Sequence, residues 1–168
     1  MSIQFRQAKR ADLSLIVAIY NEAVATKQST ADVQPVTVAQ REDWFASFNP
    51  LRFPLWMIEN EGRVAGFVGL EPYSDRAGYR HVAEAALYLA SDQQGQHIGS
   101  QAVDWIAQQA PKLGLTTVIA RIFGHNQASR KLFEKAGYEQ WGHLPEIAEM
   151  PGFTADLEVY GRHFTTTD

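Results

Sequence analysis

The sequence predicts a mixed α/β fold in a single domain spanning residues 1–168, with its core at about 3–163. Two observations carry this. Short β-branched and aliphatic runs alternate along the chain with segments of helical apolar period. In addition, 168 residues is the size of one domain, and no internal repeat, low-complexity segment or linker divides them.

Taken in order, Ile3 to Ala8 reads as a first strand. Asp12 opens a helix whose Leu13, Ile16, Val17, Tyr20, Ala23 and Val24 share one apolar face. Thr26 to Pro35 is polar and reads as a loop. Thr37 with Gln40 forms a capping box for a second helix carrying Trp44, Phe45 and Phe48, which Asn49-Pro50 ends. Leu55 to Glu59 and Val64 to Leu70 read as a hairpin turned at Asn60-Glu61-Gly62, and Glu71 to His81 as a polar loop.

Val82 to Ala90 is the next strand, and Ser91 to His97 a polar, glycine-bearing turn. A helix beginning near Ile98 or Gly99 carries Ala102, Val103, Ile106, Ala107 and Ala110, and fades near Pro111 to Gly114. Thr116 to Phe123 is a further strand. Asn126 caps a helix over 127–136, with Gly137 as the residue that stops it. Tyr138 to Leu144 and Leu157 to Tyr160 read as the last strands.

The strand–turn–helix junction at 84–100 has a definite chemical use. The first amides of a helix lack intrahelical acceptors and carry partial positive charge, so they bind phosphate. Gly95 and Gly99 permit a positive φ or a close approach to a ligand. Both G-x-G-x-x-G and G-x-x-x-x-G-K-[ST] are absent, which excludes a Rossmann dinucleotide loop and a Walker loop.

Composition excludes other classes. Net charge is −4 with no basic run beyond two residues, so no nucleic-acid partner is expected. Cysteine is absent, which removes disulfides, thiolate metal sites and a cysteine nucleophile. The five histidines show no metal-ligand spacing, and no metal is expected. No apolar run approaches 18 residues and MSIQFRQAKR lacks an apolar leader segment, so a soluble, cytoplasmic protein without a membrane partner is expected.

Three ordered stretches carry a resemblance. Gln94-Gly95-Gln96-His97-Ile98-Gly99 resembles the Q/R-x-x-G-x-G/A signature of the GNAT superfamily of N-acetyltransferases, with His97 where a glycine is usual. The segment 78–89, GYRHVAEAALYL, is similar to the stretch before the cofactor loop in the phosphinothricin and methionine-sulfoximine acetyltransferase branch, with Ala85 where that branch has histidine. FGHNQASRKLFEKAGY, residues 123–138, is similar to the same branch's asparagine-headed helix and following turn. The match spans roughly residues 4 to 160.

The resemblance implies a GNAT fold, a mixed central sheet with splayed central strands and flanking helices. It implies acetyl-CoA as cofactor, a small-molecule amine as partner and a homodimer. Gln94, Gly95, Gln96, His97, Ile98, Gly99 and Ser100 would hold its pyrophosphate. Asn126 and Ser129 would lie against its pantetheine or phosphate region, although Asn126 also reads as a simple N-cap. A backbone N–H near Leu87, Tyr88 or Leu89 would stabilise the thioester oxygen.

Glu84 is an isolated carboxylate in an apolar strand, where an unpaired charge costs several kcal/mol. The residues alone leave an ion-paired structural glutamate and a general base both open; the resemblance implies the base, acting on the substrate ammonium directly or through water. An amino-acid acceptor needs a guanidinium for its carboxylate, and Arg76 and Arg80 are the candidates in the preceding loop. Many GNAT enzymes protonate the leaving thiolate with a tyrosine where this chain has Phe133; Tyr88, Tyr138 and water are the alternatives. The expected reaction is acetyl transfer to a small amino acid or analogue of the phosphinothricin or methionine sulfoximine type, by direct attack in a ternary complex. Peptide N-termini, lysine or polyamines as acceptors, and a non-catalytic acyl-CoA-binding sensor, remain the alternatives.

Overall fold

The computed structural model describes residues 2–166. Its strands are Ile3–Gln7 (β1), Leu55–Asn60 (β2), Arg63–Pro72 (β3), Val82–Leu89 (β4), Thr117–Phe123 (β5), Glu139–Met150 (β6) and Phe153–His163 (β7). The helices are Leu13–Thr26 (α1), Glu42–Ala46 (α2), Ile98–Gln109 (α3) and Gln127–Lys135 (α4). All seven strands form one sheet in the order β1-β2-β3-β4-β5-β7-β6. Every neighbouring pair is antiparallel except β4 with β5.

The strand period of two divides the apolar residues between two cores. Met57 and Phe67 point to the face covered by α1, where they pack with Ile16, Ile19, Tyr20 and Val24. Ile58 and Val68, their neighbours in sequence, point to the opposite face and pack with Ile98, Val103 and Ile106 of α3. The same pleat decides the function: Glu84, Ala86 and Tyr88 face α1 and α2, while Ala83, Leu87 and Leu89 pack with the α3 core.

The feature that opens a site is the fork between β4 and β5. They pair only at Val82–Thr117, Ala83–Val118 and Glu84–Ile119. Beyond Glu84 the two strands run on without pairing, leaving backbone polar groups on both facing edges for another partner. This is the splay expected above.

The helix ends follow the chemistry of their residues. The Asn126 side chain accepts the Ser129 N–H at 3.2 Å and so caps α4. At the other end the Tyr138 N–H donates to the Phe133 carbonyl at 3.0 Å and the Gly137 N–H to Glu134 at 3.1 Å, with Gly137 at φ +90°. That is a Schellman ending, and glycine suits its left-handed residue.

Three elements differ from expectation. Thr37 and Gln40 do exchange the capping-box bonds, at 2.9 and 3.2 Å. They open a 3-10 turn, Ala39–Arg41, and α2 after it has only five residues. β6 and β7 run far past the expected Leu144 and begin far before Leu157, meeting at a turn where Gly152 has φ +85°. Pro145 hid this strand; β6 is the sheet edge and its register shifts between Leu144 and Ala148, which accommodates a residue with no N–H. Finally, β3 extends through Glu71 and Pro72, so the expected loop at 71–81 is shorter and Glu71 belongs to the sheet.

Candidate active site

Between the parted strands lies a cleft of about 570 Å³, floored by β4 and β5 and closed by the turn before α3 and by α4. Of the residues expected to hold a cofactor, Leu87, Tyr88 and Leu89 line it from β4. Gln94, Gly95, His97, Ile98, Gly99 and Ser100 line it from the turn and the first residues of α3. Asn126 and Ser129 line it from the start of α4. Gln96 does not: its side chain lies between Asn60 and the Asp92 carbonyl, at 3.5 and 3.4 Å.

The turn is built to direct amides. Gly95 has φ +75°, and His97, at φ +61° and ψ +18°, takes the left-handed conformation that a glycine would take there. No side chain caps the α3 amides, and no acidic residue stands in its first turn. These amides remain available to an anion, supported by the helix dipole. Gly99 serves close packing, since a Cβ there would stand 3.3 Å from Leu132. Behind the turn, the Ser91 N–H donates to Glu22 at 2.7 Å and the Asn60 amide to buried Gln93 at 3.1 Å, which fixes its entry.

An L-residue in the left-handed region costs about 1 kcal/mol or somewhat more. His97→Gly is therefore expected to raise the unfolding free energy by up to about 1 kcal/mol, offset in part by chain entropy. Urea unfolding of the two proteins measures this. A loss of stability would show that the imidazole makes a contact outweighing the strain.

At the fork stands Glu84. It is ion-paired with Arg121 of β5, whose Nε and Nη2 engage its two oxygens, the second at 3.0 Å. Glu84 keeps 18% of its side-chain exposure and Arg121 56%; Arg121 lines the cleft, whereas Glu84 stands just outside its lining, next to Ala85. Directly opposite Glu84 across the β3–β4 ladder is Glu71. Its carboxylate accepts the Trp44 indole N–H at 2.8 Å. Burial pushes the Glu71 carboxyl above the usual carboxylate range, and the Glu84 charge adds to this against the Trp44 hydrogen bond. Arg41, just before α2, stacks its guanidinium 4.1 Å from the Tyr20 ring centre and 4.7 Å from that of Trp44. Aromatic residues therefore surround Arg41 and Glu71, on the sheet face that Glu84 shares.

Neither Arg76 nor Arg80 lines the cleft. They sit exposed beside Arg52, Pro72 and His81 in a separate shallow groove. Pro72 pairs with Ala83, one residue beyond the Glu71–Glu84 pair, and the pleat turns that position to the opposite face. The guanidinium at Glu84 is instead Arg121, and Arg41 acts on the facing Glu71; sequence reasoning missed all three of Arg121, Arg41 and Glu71.

The three aromatics considered for the leaving group also separate. Phe133 and Tyr88 line the cleft, and the Tyr88 hydroxyl reaches the Ser29 carbonyl at 3.4 Å. Tyr138 lies behind Phe133 with its hydroxyl buried and unbonded. Among the described residues, His143, Asp156 and Glu158 of the β6–β7 hairpin approach one another. There both Glu158 oxygens are already held, by His143 at 2.7 Å and Gln140 at 2.7 Å, which reads as a structural network.

The chain matches the model of the Acetyltransferase (GNAT) family over residues 16–138. It is 40% identical over 161 residues to a Bacillus subtilis protein provisionally named phosphinothricin acetyltransferase YwnH, covering 95% of this chain and 98% of that one. It is 31% identical to the L-methionine sulfoximine/L-methionine sulfone acetyltransferase of Pseudomonas aeruginosa, covering 94% and 92%. Among solved structures, the Sinorhizobium meliloti phosphinothricin acetyltransferase in complex with acetyl-CoA superposes with a TM-score of 0.92 at 26% identity, covering 98% of this chain and 90% of that one.

Proposed function

The chain belongs to the GNAT acetyltransferase family, and from that premise we propose that it transfers acetyl from acetyl-CoA to the primary amine of a small amino acid or analogue. The observation that carries the reading is the fork: two strands part at a carboxylate and enclose a cleft that ends on the amides of α3. The relatives described above carry the names of phosphinothricin and L-methionine sulfoximine acetyltransferases, and the same acceptor type is proposed here.

The residues present fit the cofactor. The amides of Gly95 and His97 to Ser100 would hold its pyrophosphate. The unpaired β4 edge at Leu87, Tyr88 and Leu89 would hold the pantetheine arm, and Asn126 and Ser129 would flank it. When bound, acetyl-CoA supplies an activated thioester carbonyl at the fork.

The chain's own part is to bind, orient and deprotonate. Glu84 takes the proton of the acceptor ammonium, directly or through water. A β4 backbone N–H stabilises the oxygen that gains charge as the nitrogen attacks. Because the chain has no cysteine, a cysteinyl acyl-enzyme is impossible, and the proposed attack of the amine on the thioester is direct. Burial pushes the Tyr88 phenol up, so it holds its proton tightly and is a poor donor to a thiolate. With Phe133 carrying none, solvent is the proton source for the leaving sulfur. The aromatic cluster of Tyr20, Trp44 and Tyr88, on the sheet face that Glu84 shares, supports a compact acceptor over a peptide. A homodimer is proposed by resemblance to the branch, and a cytoplasmic location from the sequence's want of a long apolar run.

The test is release of free thiol from acetyl-CoA against amino acids, methionine sulfoximine, phosphinothricin, polyamines and short peptides. Turnover confined to one amino-acid-like acceptor is the expected result. Turnover confined to peptides would overturn the acceptor class, and cofactor binding with no turnover on any amine would favour a sensor.

A further inference from the structure

Glu71 is a half-buried carboxylate that the proposed reaction does not use. Its environment is unusual on three counts. Like charges directly opposite on neighbouring strands repel, yet Glu71 faces Glu84 across the β3–β4 ladder. The nearby Arg121 engages both oxygens of Glu84 and forms no hydrogen bond with Glu71. Arg41, from the other side, lies on the rings of Tyr20 and Trp44. Among the described residues, the one hydrogen bond to Glu71 comes from the neutral indole of Trp44.

Arg41 and Arg121 therefore offset the charge of the two carboxylates only through space on the Glu71 side, where neither makes a hydrogen bond. A half-buried carboxylate whose one bonded donor is neutral gains from a cation that hydrogen-bonds to it directly. Trp44 uses one oxygen of Glu71 and fixes its orientation; the other is left for a donor.

We propose that Glu71 is the second half of the base: the acceptor ammonium lies against Glu71 and Glu84 together, and the proton it loses is held by the pair. This rests on the proposed acetyl transfer and adds a residue to it. The balance is simple. The ammonium gives one proton to the two carboxylates, which go from two negative charges to one. The freed nitrogen lone pair forms the new C–N bond as the thioester C–S bond breaks, and the sulfur leaves with that electron pair. The nitrogen sheds its second proton and the thiolate gains one, so one proton is released per turnover.

At Glu71 burial and the Glu84 charge oppose ionisation, while the Trp44 N–H, Arg41 and Arg121 favour it. Activity should then fall on the acid side with a limb that belongs to both residues. In Glu71→Gln the amide oxygen keeps the Trp44 bond while the charge is lost. With L-methionine sulfoximine as acceptor, kcat/KM is expected to drop on the order of 10²-fold, and the acid limb to move to lower pH. The acetyl-CoA dissociation constant should stay within about threefold of wild type, a difference under about 1 kcal/mol.

A second readout needs no substrate. Because the Glu71 carboxyl is raised in the folded state, the folded chain binds more protons, and stability falls as pH rises from 4.5 through the folded value. Glu71→Gln should therefore be more stable than wild type at pH 8, with the gain fading below pH 4.5. An unchanged acid limb with kcat/KM within threefold of wild type would overturn the proposal. So would a stability difference independent of pH. If wild type turns over no amine at all, the acetyl-transfer reading fails by that result alone, and the stability arm still decides whether Glu71 holds a proton in the fold.

Discussion

Glu84→Gln is expected to lower kcat by about 10²–10³-fold while leaving acetyl-CoA binding intact, the usual size for loss of a positioned base. The substitution is nearly isosteric. Its amide oxygen can still accept from Arg121, so the bridge from β4 to β5 beside the cleft survives in weaker form. What is lost is the capacity to take a proton.

The ion pair itself could be the whole purpose of Glu84, since it stands at the last rung where β4 and β5 pair. The two purposes give different results. A structural strut would show in Arg121→Ala as strongly as in Glu84→Gln, and both would lower the melting temperature in parallel with activity. A half-exposed pair of this kind is worth about 1 kcal/mol or less. That is far too little to account for a 10²-fold loss in a protein that remains folded. Single-turnover thiol release with calorimetric titration of acetyl-CoA separates these outcomes. Full activity in Glu84→Gln would remove Glu84 as the base and leave the acetyltransferase reading standing.

How much of this was legible in the sequence depends on what each residue relies on. The anion-binding turn was readable because its requirements are local: a strand, a glycine able to take φ +75°, and a helix start follow one another in the chain. Glu84 was readable because a lone carboxylate among aliphatic residues is conspicuous. Its partner was not. Arg121 looked like one polar residue in a β-branched strand, and only the parallel pairing of 82–84 with 117–119 brings the two together.

Glu71 was hidden for a different reason. It precedes Pro72 and a run of polar residues, so the last turn of a buried strand looked like the start of a loop. Arg76 and Arg80 drew attention through nearness in sequence to Glu84, but one step of the pleat sends their neighbour Pro72 to the other face. Local chemistry was legible; which groups meet across the sheet was not.

Phe67→Ala is the second large effect, expected to cost about 3–5 kcal/mol, the range for deleting a buried phenyl ring. Phe67 is 1% exposed in the core under α1, so its ring has no solvent to retreat to. Domains of this size are stable by only about 5–15 kcal/mol, and the variant should unfold at much lower urea. The site should suffer as well, because Phe67 stacks on Tyr88 at 5.3 Å and meets Trp44 edge-on at 6.0 Å. Removing it loosens Tyr88 and Trp44, two of the three aromatics in the cluster with Tyr20, and with Trp44 goes the orientation of Glu71. Ile106→Ala supplies the comparison: Ile106 is 0% exposed on the α3 side of the sheet, and its loss should cost about 2–5 kcal/mol. Measured at low temperature, where both variants are folded, kcat should fall in Phe67→Ala and stay near wild type in Ile106→Ala. Equal kcat in the two variants would mean that the aromatic cluster supports the fold alone and does not position the reacting groups.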